Sequence, residues 1–260
     1  MANALFVKPL PFTATSAATG LGDPNYLGND YAGIVWRSTA TAAPSVKLDL
    51  GADQVIDTVM LFGIASSADL AGATVQIYGA TTAEGPTRAR GDGGRPLLAG
   101  SIMPQIRGGV AFLPLPVGWP PLRYLEIALS NGGAWLQLAR AVVGDKFEPA
   151  IGFEYGLQLG VRDLGSADVS ARGVLLRRRA KKLRTVSLNF PTLTKFEAER
   201  TALELLDYAG NTDCLALCIN PAAEPERQER CWFGPLVGDL GTTWATARGF
   251  EWRANLLGLM

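Results

Sequence analysis

Residues 45 to 64 read SVKLDLGADQVIDTVMLFGI, and the spacing of their apolar positions predicts two strands of different kinds. In VKLDL, Val46, Leu48 and Leu50 share one parity while Lys47 and Asp49 take the other, which is the two-residue period of a strand with one wet face. Gly51 and Asp53 then supply a turn. VIDTVMLFGI is apolar on both parities, so it is expected to be a central strand covered on both sides. Further strands are predicted at ATVQIYGA (73–80), GVAFLPL (109–115), RYLEIALS (123–130) and WLQLARAVVG (135–144). Between them lie turn-rich stretches: residues 1–29 as an irregular N-terminal arm, GPTRARGDGGRP (85–96) as a Gly-Pro-Arg loop, and PVGWPP (116–121) as another. Short strands joined by long loops make residues 30–145 a β-sandwich, or jelly roll.

The pattern resets between Asp145 and Pro149, which places a domain boundary there and a second domain over 146–260. Its predicted strands lie in FEYGLQLGVRD, GVLLRRRAKKLRTVSLNF, LALCIN, RCWFGPLVGDL and GFEWRANLLGL. One helix interrupts them, over about residues 194–209. Thr194 and Glu197 have the spacing of a capping box, good helix formers fill the body, and Gly210-Asn211 stops it. Phe196, Leu203 and Leu206, with Ala202 and Tyr208, form the expected apolar stripe, and Lys195, Glu199, Arg200 and Glu204 the wet side. The fold class is therefore mainly β: a sandwich followed by a small β-barrel or sheet flanked by one α-helix.

Composition narrows the function. At 260 residues the chain is long enough for two cores, and 24 basic against 24 acidic side chains give no net charge to name a partner. There is no His, which removes imidazole triads, HExxH zinc sites and ordinary neutral-pH proton shuttles. Cys214, Cys218 and Cys231 are an odd number with no disulfide-framework spacing, and are expected to be buried apolar thiols. The first residues lack the apolar core of a signal peptide, and no apolar run is long enough to cross a bilayer, so a soluble protein made in the cytoplasm is expected, with no membrane partner. No catalytic residue, cofactor site or metal site is expected.

Two clusters remain as candidates. Arg177, Arg178, Arg179, Lys181 and Lys182 are the strongest local charge; they read either as the solvated tip of a hairpin between VLL and LRTVSLNF, or as a lumen or inter-subunit surface facing DNA or an acidic neighbour. Arg88, Arg90, Arg95 and Trp119 form a candidate ligand or partner loop. Asp49, Asp53 and Asp57 are expected to be separate turn and edge carboxylates, because no calcium-loop pattern holds them together. GDGG (91–94) lacks the Lys-Ser/Thr of a phosphate loop. Of six Trp, only Trp119 looks loop-borne; Trp36, Trp135, Trp232, Trp244 and Trp252 adjoin apolar runs and are expected in the core.

The residues from Trp36 to Ser38, Leu48 to Gly51, Ile56 to Val59 and Arg123 to Ile127 follow an order that resembles the discoidin or coagulation-factor C-type family. That resemblance implies a galactose-binding-like jelly roll, with a carbohydrate-binding module as one functional reading. The roll joined to VVGDKFEPAIGFEYGLQLG, RRRAKKLRTVSLNFPTLT, the capped helix and LALCINPAAEPERQERCWFGPL resembles tail-tip and distal tail proteins of tailed bacteriophages. The resemblance implies a tail-tube-like second domain and a non-enzymatic virion component at the tail tip, assembled in the host cytoplasm. Its implied partners are further copies of itself in a ring, the tail tube protein and tail hub or fibre proteins, with DNA passing through the lumen.

Overall fold

The structure, a computed structural model, describes residues 3–39, 43–102, 108–130, 133–238, 241–246 and 249–260. It forms two compact units. The first holds the chain up to Glu148 together with Leu215–Cys231; the second holds Pro149–Cys214 and Trp232–Leu259.

The first unit carries, in chain order, β1 (Leu5–Val7), β2 (Thr13–Thr15), β3 (Thr19–Leu21), β4 (Trp36–Ser38), β5 (Ser45–Gln54), β6 (Thr58–Ser66), β7 (Thr74–Ala80), β8 (Arg90–Gly91) and β9 (Arg95–Pro96). It continues with β10 (Gly109–Pro114), β11 (Leu122–Ser130), β12 (Leu136–Leu138), β13 (Arg140–Gly144) and β14 (Lys146–Phe147). One sandwich layer has the order β2-β5-β11-β7-β8, with β9 also on β7; the other runs β10-β6-β12-β4-β3, with β13 also on β6. Every pairing is antiparallel. Leu48 lies opposite Leu125 and Val46 opposite Ile127, so the dry parities of β5 and β11 meet in one core with Val59, Leu61 and Ile64 of β6. Met60 and Phe62, on the other parity of β6, are also fully buried, as the unbroken apolar run predicts.

Gly51 does not turn the chain. It holds φ +78° inside β5, which runs on to Gln54, and the register against β11 slips between Leu122 and Tyr124. A positive φ with no Cβ to clash lets the strand bulge rather than reverse. The break therefore falls at residues 55–57, with Val55 61% exposed, and β6 starts at Thr58. Residues 1–29 are likewise no irregular arm. Besides β2 and β3 they supply β1, wholly buried, which pairs antiparallel with β14, Phe6 lying opposite Phe147.

Leu215–Cys231, inside the stretch read as the second domain, belongs to the first unit. Most of β19 (Cys214–Cys218) lies there, with Phe6 of β1 opposite its Leu217. A following 3-10 turn (Arg227–Arg230) anchors it: buried Gln228 accepts from the Val110 amide at 3.0 Å and donates to the Ile102 carbonyl at 2.8 Å. Arg227 donates to the Ala99 carbonyl at 2.7 Å and lies 5.4 Å from the Phe112 ring. All three cysteines are buried thiols.

The second unit is built on β15 (Gln158–Asp163), β16 (Ser166–Val169), β17 (Leu175–Arg178) and β18 (Lys182–Leu193), then β20 (Cys231–Pro235), which enters it at Trp232, β21 (Thr242–Thr246) and β22 (Gly249–Gly258). Its sheet has the order β15-β18-β22-β21, all antiparallel, while among the described residues β16 and β17 pair only with each other. The helix is capped as predicted: the Thr194 amide donates to Glu197 Oε2 at 2.8 Å and the Glu197 amide to Thr194 Oγ1 at 3.3 Å. After a first helical pair, Lys195 and Phe196, it runs as a π-helical segment, Glu197–Ala202, and continues as α1 (Leu203–Ala209). Its buried stripe is Ala198, Ala202, Leu205, Leu206 and Ala209. The expected stripe is thus displaced: Phe196 is 64% and Leu203 39% exposed. Alanines let the helix approach its support closely, which leaves the bulkier pair facing outward.

Replacing Gln228 with Ala leaves the buried Val110 amide and Ile102 carbonyl without this partner, a loss on the order of 1–3 kcal/mol. The expected result is a lower urea midpoint for the first unit, read by equilibrium denaturation, whereas Glu226→Ala on the exposed flank leaves it unchanged.

Candidate functional site

The candidate loop between β7 and β9 is pinned by its own charges. Arg88 forms a two-pronged pair with Glu126 of β11, Nε to Oε2 at 3.0 Å and Nη2 to Oε1 at 2.8 Å, and its guanidinium lies 4.5 Å from the Tyr78 ring. Arg90 pairs with Glu84, which also accepts from the Thr81 amide at 2.8 Å. Arg95 pairs with Asp92, whose other oxygen accepts from the Ile77 amide at 2.9 Å. Arg88 thus holds the Glu126 carboxyl below its ordinary range, and Arg90, helped by the Thr81 amide, pulls Glu84 down to about 2. Three arginines read as free to meet a ligand are each engaged by a carboxylate of the same unit.

Trp119 is no exposed platform. It is half-buried and packs against the sandwich core, over Gly79, where a Cβ would stand 3.0 Å from the indole. Of the other tryptophans, Trp36, Trp232 and Trp252 are fully buried, and Trp135 is half-buried with the Arg37 guanidinium 4.2 Å from its ring. Trp244, expected in the core, is instead 70% exposed on β21.

Asp49, Asp53 and Asp57 have separate partners, as their spacing predicts. Asp49 pairs with Arg123 at 2.8 Å and accepts from the Gly51 amide, Asp53 accepts from the Thr82 amide, and Asp57 from the Lys146 amide. Among the described residues no group of three Asp, Glu or Cys side chains is placed to hold a metal ion.

The wet parities of β5 and β11 create what sequence reading did not foresee, a groove of ≈ 340 Å³ on the outer face of the sandwich. Lys47, Tyr124 and Glu126 form its floor, Thr13 and Thr15 of β2 one wall, and Thr87 of the pinned loop the other. Charge alternation along β5 and β11 was visible in the sequence; the loop folding over it was not.

The basic cluster is not the tip of a hairpin between VLL and LRTVSLNF. Arg177 and Arg178 lie on β17, opposite Ala167 and Ser166, while Lys182 opens β18 opposite Asp163. β17 and β18 are therefore not the two limbs of one hairpin. They form one limb of a longer arm, β15-β16 against β17-β18, whose tip is the turn at residues 170–174. Leu164 donates to the Lys181 carbonyl at 3.2 Å across the joint between its two halves. All five basic residues are exposed. Lys182 lies 3.8 Å from Asp163, and Lys181 donates to the Leu259 carbonyl at 3.4 Å. Arg177, Arg178 and Arg179 have no ion-pair partner among the described residues.

No family model and no curated protein matches the chain. Among solved structures it is similar to a mutant of the lectin-binding domain of Lectinolysin complexed with Lewis b, at 14% identity and TM-score 0.41 over 53% of this chain and 97% of that one. It is similar to a Streptococcus pneumoniae fucose binding module at 15% identity and TM-score 0.39, over 53% and 95% of the two chains. A third is CBM32-1 from a family 31 glycoside hydrolase of Clostridium perfringens, at 14% identity and TM-score 0.40, over 53% and 96%.

The pinned loop should respond to acid in a defined window. The Glu84 carboxyl is depressed from 4.5 to about 2 in the folded chain, so its stabilising contribution is complete above about pH 4.5 and is lost as pH falls towards 2. An NMR titration should find the Glu84 carboxyl and the Thr81 amide moving together with a midpoint near 2. A Glu84 midpoint at the ordinary carboxylate value contradicts the pairing.

Proposed function

We propose that this chain is a non-catalytic assembly subunit that associates with copies of itself through its second unit. The observation that supports this most is the arm. Every residue of β15, β16 and β17 is exposed, and seven apolar side chains along the arm stand 51% to 64% open to solvent. A ribbon of two strands is marginal alone in water, and apolar patches of this kind usually mark an interface. The outer edges of β15 and β21 end the four-stranded sheet and leave backbone groups for another chain, with Trp244 exposed on one of them. A contact from one edge to the other edge of the next copy is head-to-tail, and it makes a ring if the rotation closes. The resemblance to bacteriophage tail-tip and distal tail proteins gives that ring its setting, at the end of a tail tube beside hub or fibre proteins. The setting rests on the sequence resemblance alone.

A second reading, a carbohydrate-binding module, is favoured by the outer-face groove, where the hydroxyls of Thr13, Thr15, Thr87 and Tyr124 and the ammonium of Lys47 offer hydrogen-bonding groups.

Sedimentation velocity over a broad range of protein concentration separates them. The assembly reading expects species at multiples of 27.6 kDa that shrink when Leu175 and Leu176 are replaced by Ser; a lone 27.6 kDa species at every concentration removes it. The carbohydrate reading expects calorimetric heat with an oligosaccharide panel that Lys47→Ala abolishes, and absence of heat at millimolar sugar removes that one.

A further inference from the structure

We infer that the arm of one copy docks on the outward face of the capped helix of a second copy, with apolar residues meeting at the centre and arginines meeting carboxylates around them. The inference rests on the assembly reading and names the surface that the arm covers.

The two surfaces complement one another in charge. Residues 158–182 carry seven basic and two acidic side chains, whereas residues 194–209 carry four acidic and two basic ones. They also match in their apolar centres. The outward face of the helix presents Phe196 and Leu203, and Glu199, Glu204 and Asp207 surround them, all exposed. Exposed apolar residues within an acidic face are not needed for the helix to pack, since the alanine and leucine stripe already serves that purpose. The cations of the helix are held loosely: Arg200 lies 3.4 Å from Glu204, Lys195 3.8 Å from Glu199, and both pairs are exposed. Such exposed pairs contribute little, so Glu199 and Glu204 can exchange partners at small cost. Asp207 has no ion-pair partner among the described residues.

Register selects one face of the arm. Val169 lies opposite Leu175 and Ala167 opposite Arg177, so these four share a face that is apolar towards the tip and cationic behind it. The opposite face carries Ser166, Asp168, Leu176 and Arg178, with a carboxylate that an acidic helix would repel. From Gly165 to Ser170 the arm extends roughly 20 Å beyond the four-stranded sheet at ~3.3 Å per residue, enough to cross to a neighbouring copy. Nucleic acid fits this surface less well, because residues 158–182 contain no aromatic side chain to stack on a base and Arg177 shares its face with Val169 and Leu175.

Charge reversal in the full chain tests it, with sedimentation velocity as the readout and circular dichroism to establish folding. Association should weaken about tenfold or more between about 0.05 and 0.5 M salt. Arg177→Glu should weaken it by a similar factor, Arg178→Glu on the other face much less, and Arg177→Glu combined with Glu199→Lys and Glu204→Lys should recover most of the loss. Association that ignores salt and all these changes overturns the docking surface while leaving self-assembly in place. Equal effects of Arg177→Glu and Arg178→Glu, or no recovery in the combined variant, overturn it as well. A monomer at every concentration removes both. Retention of a duplex oligonucleotide that Arg177→Glu loses, without a change in association, overturns it in favour of nucleic acid.

Discussion

Apolar surface must be covered, and one part of this chain has no cover of its own. The first unit satisfies that requirement internally: two antiparallel layers close on a core that takes the dry parities of β5, β6 and β11. The arm of the second unit does not, because among the described residues β16 pairs with β17 alone, and leucines and valines project from both faces. Its inner backbone groups are satisfied while its side chains are not, a combination suited to a surface completed by another chain. The assembly proposal follows from that imbalance.

The loops show the opposite condition. Where arginines would be expected to wait for an anion, Arg88, Arg90 and Arg95 are each held by a carboxylate, and Trp119 is laid onto the sandwich. Charge on the first unit is thus spent on rigidity, whereas Arg177 to Arg179 on the arm are left open. The difference between a neutralised cluster and an open one is what separates the two candidate surfaces, although both look alike as strings of basic residues.

Much of the fold was legible because its signals are local. The alternation in VKLDL and RYLEIALS, the unbroken run of VMLFG and the Thr194–Glu197 cap each depend on residues a few positions apart, and each became the element expected. Signals that fail are those settled at a distance. Gly51 reads as a turn until β11 supplies the register that makes it a bulge. Phe196 and Leu203 read as core because size outweighs alanine in a helical stripe, yet the alanines face inward. The partner of Arg88 lies 38 positions away, and the anchoring of Leu215–Cys231 through Gln228 depends on backbone groups near residues 100 and 110. The arm was only half legible: its basic run stood out, but its strands carry apolar residues on both parities with no dry face to predict.

Amide hydrogen exchange of Ser166–Arg178 at low and high protein concentration tests the central claim most directly. An arm completed by another copy predicts that these amides, together with those of the helix at residues 195–207, gain protection as concentration rises, while β5 and β11 stay unchanged. Rapid exchange of Ser166–Arg178 at every concentration, with the helix indifferent, would contradict the account.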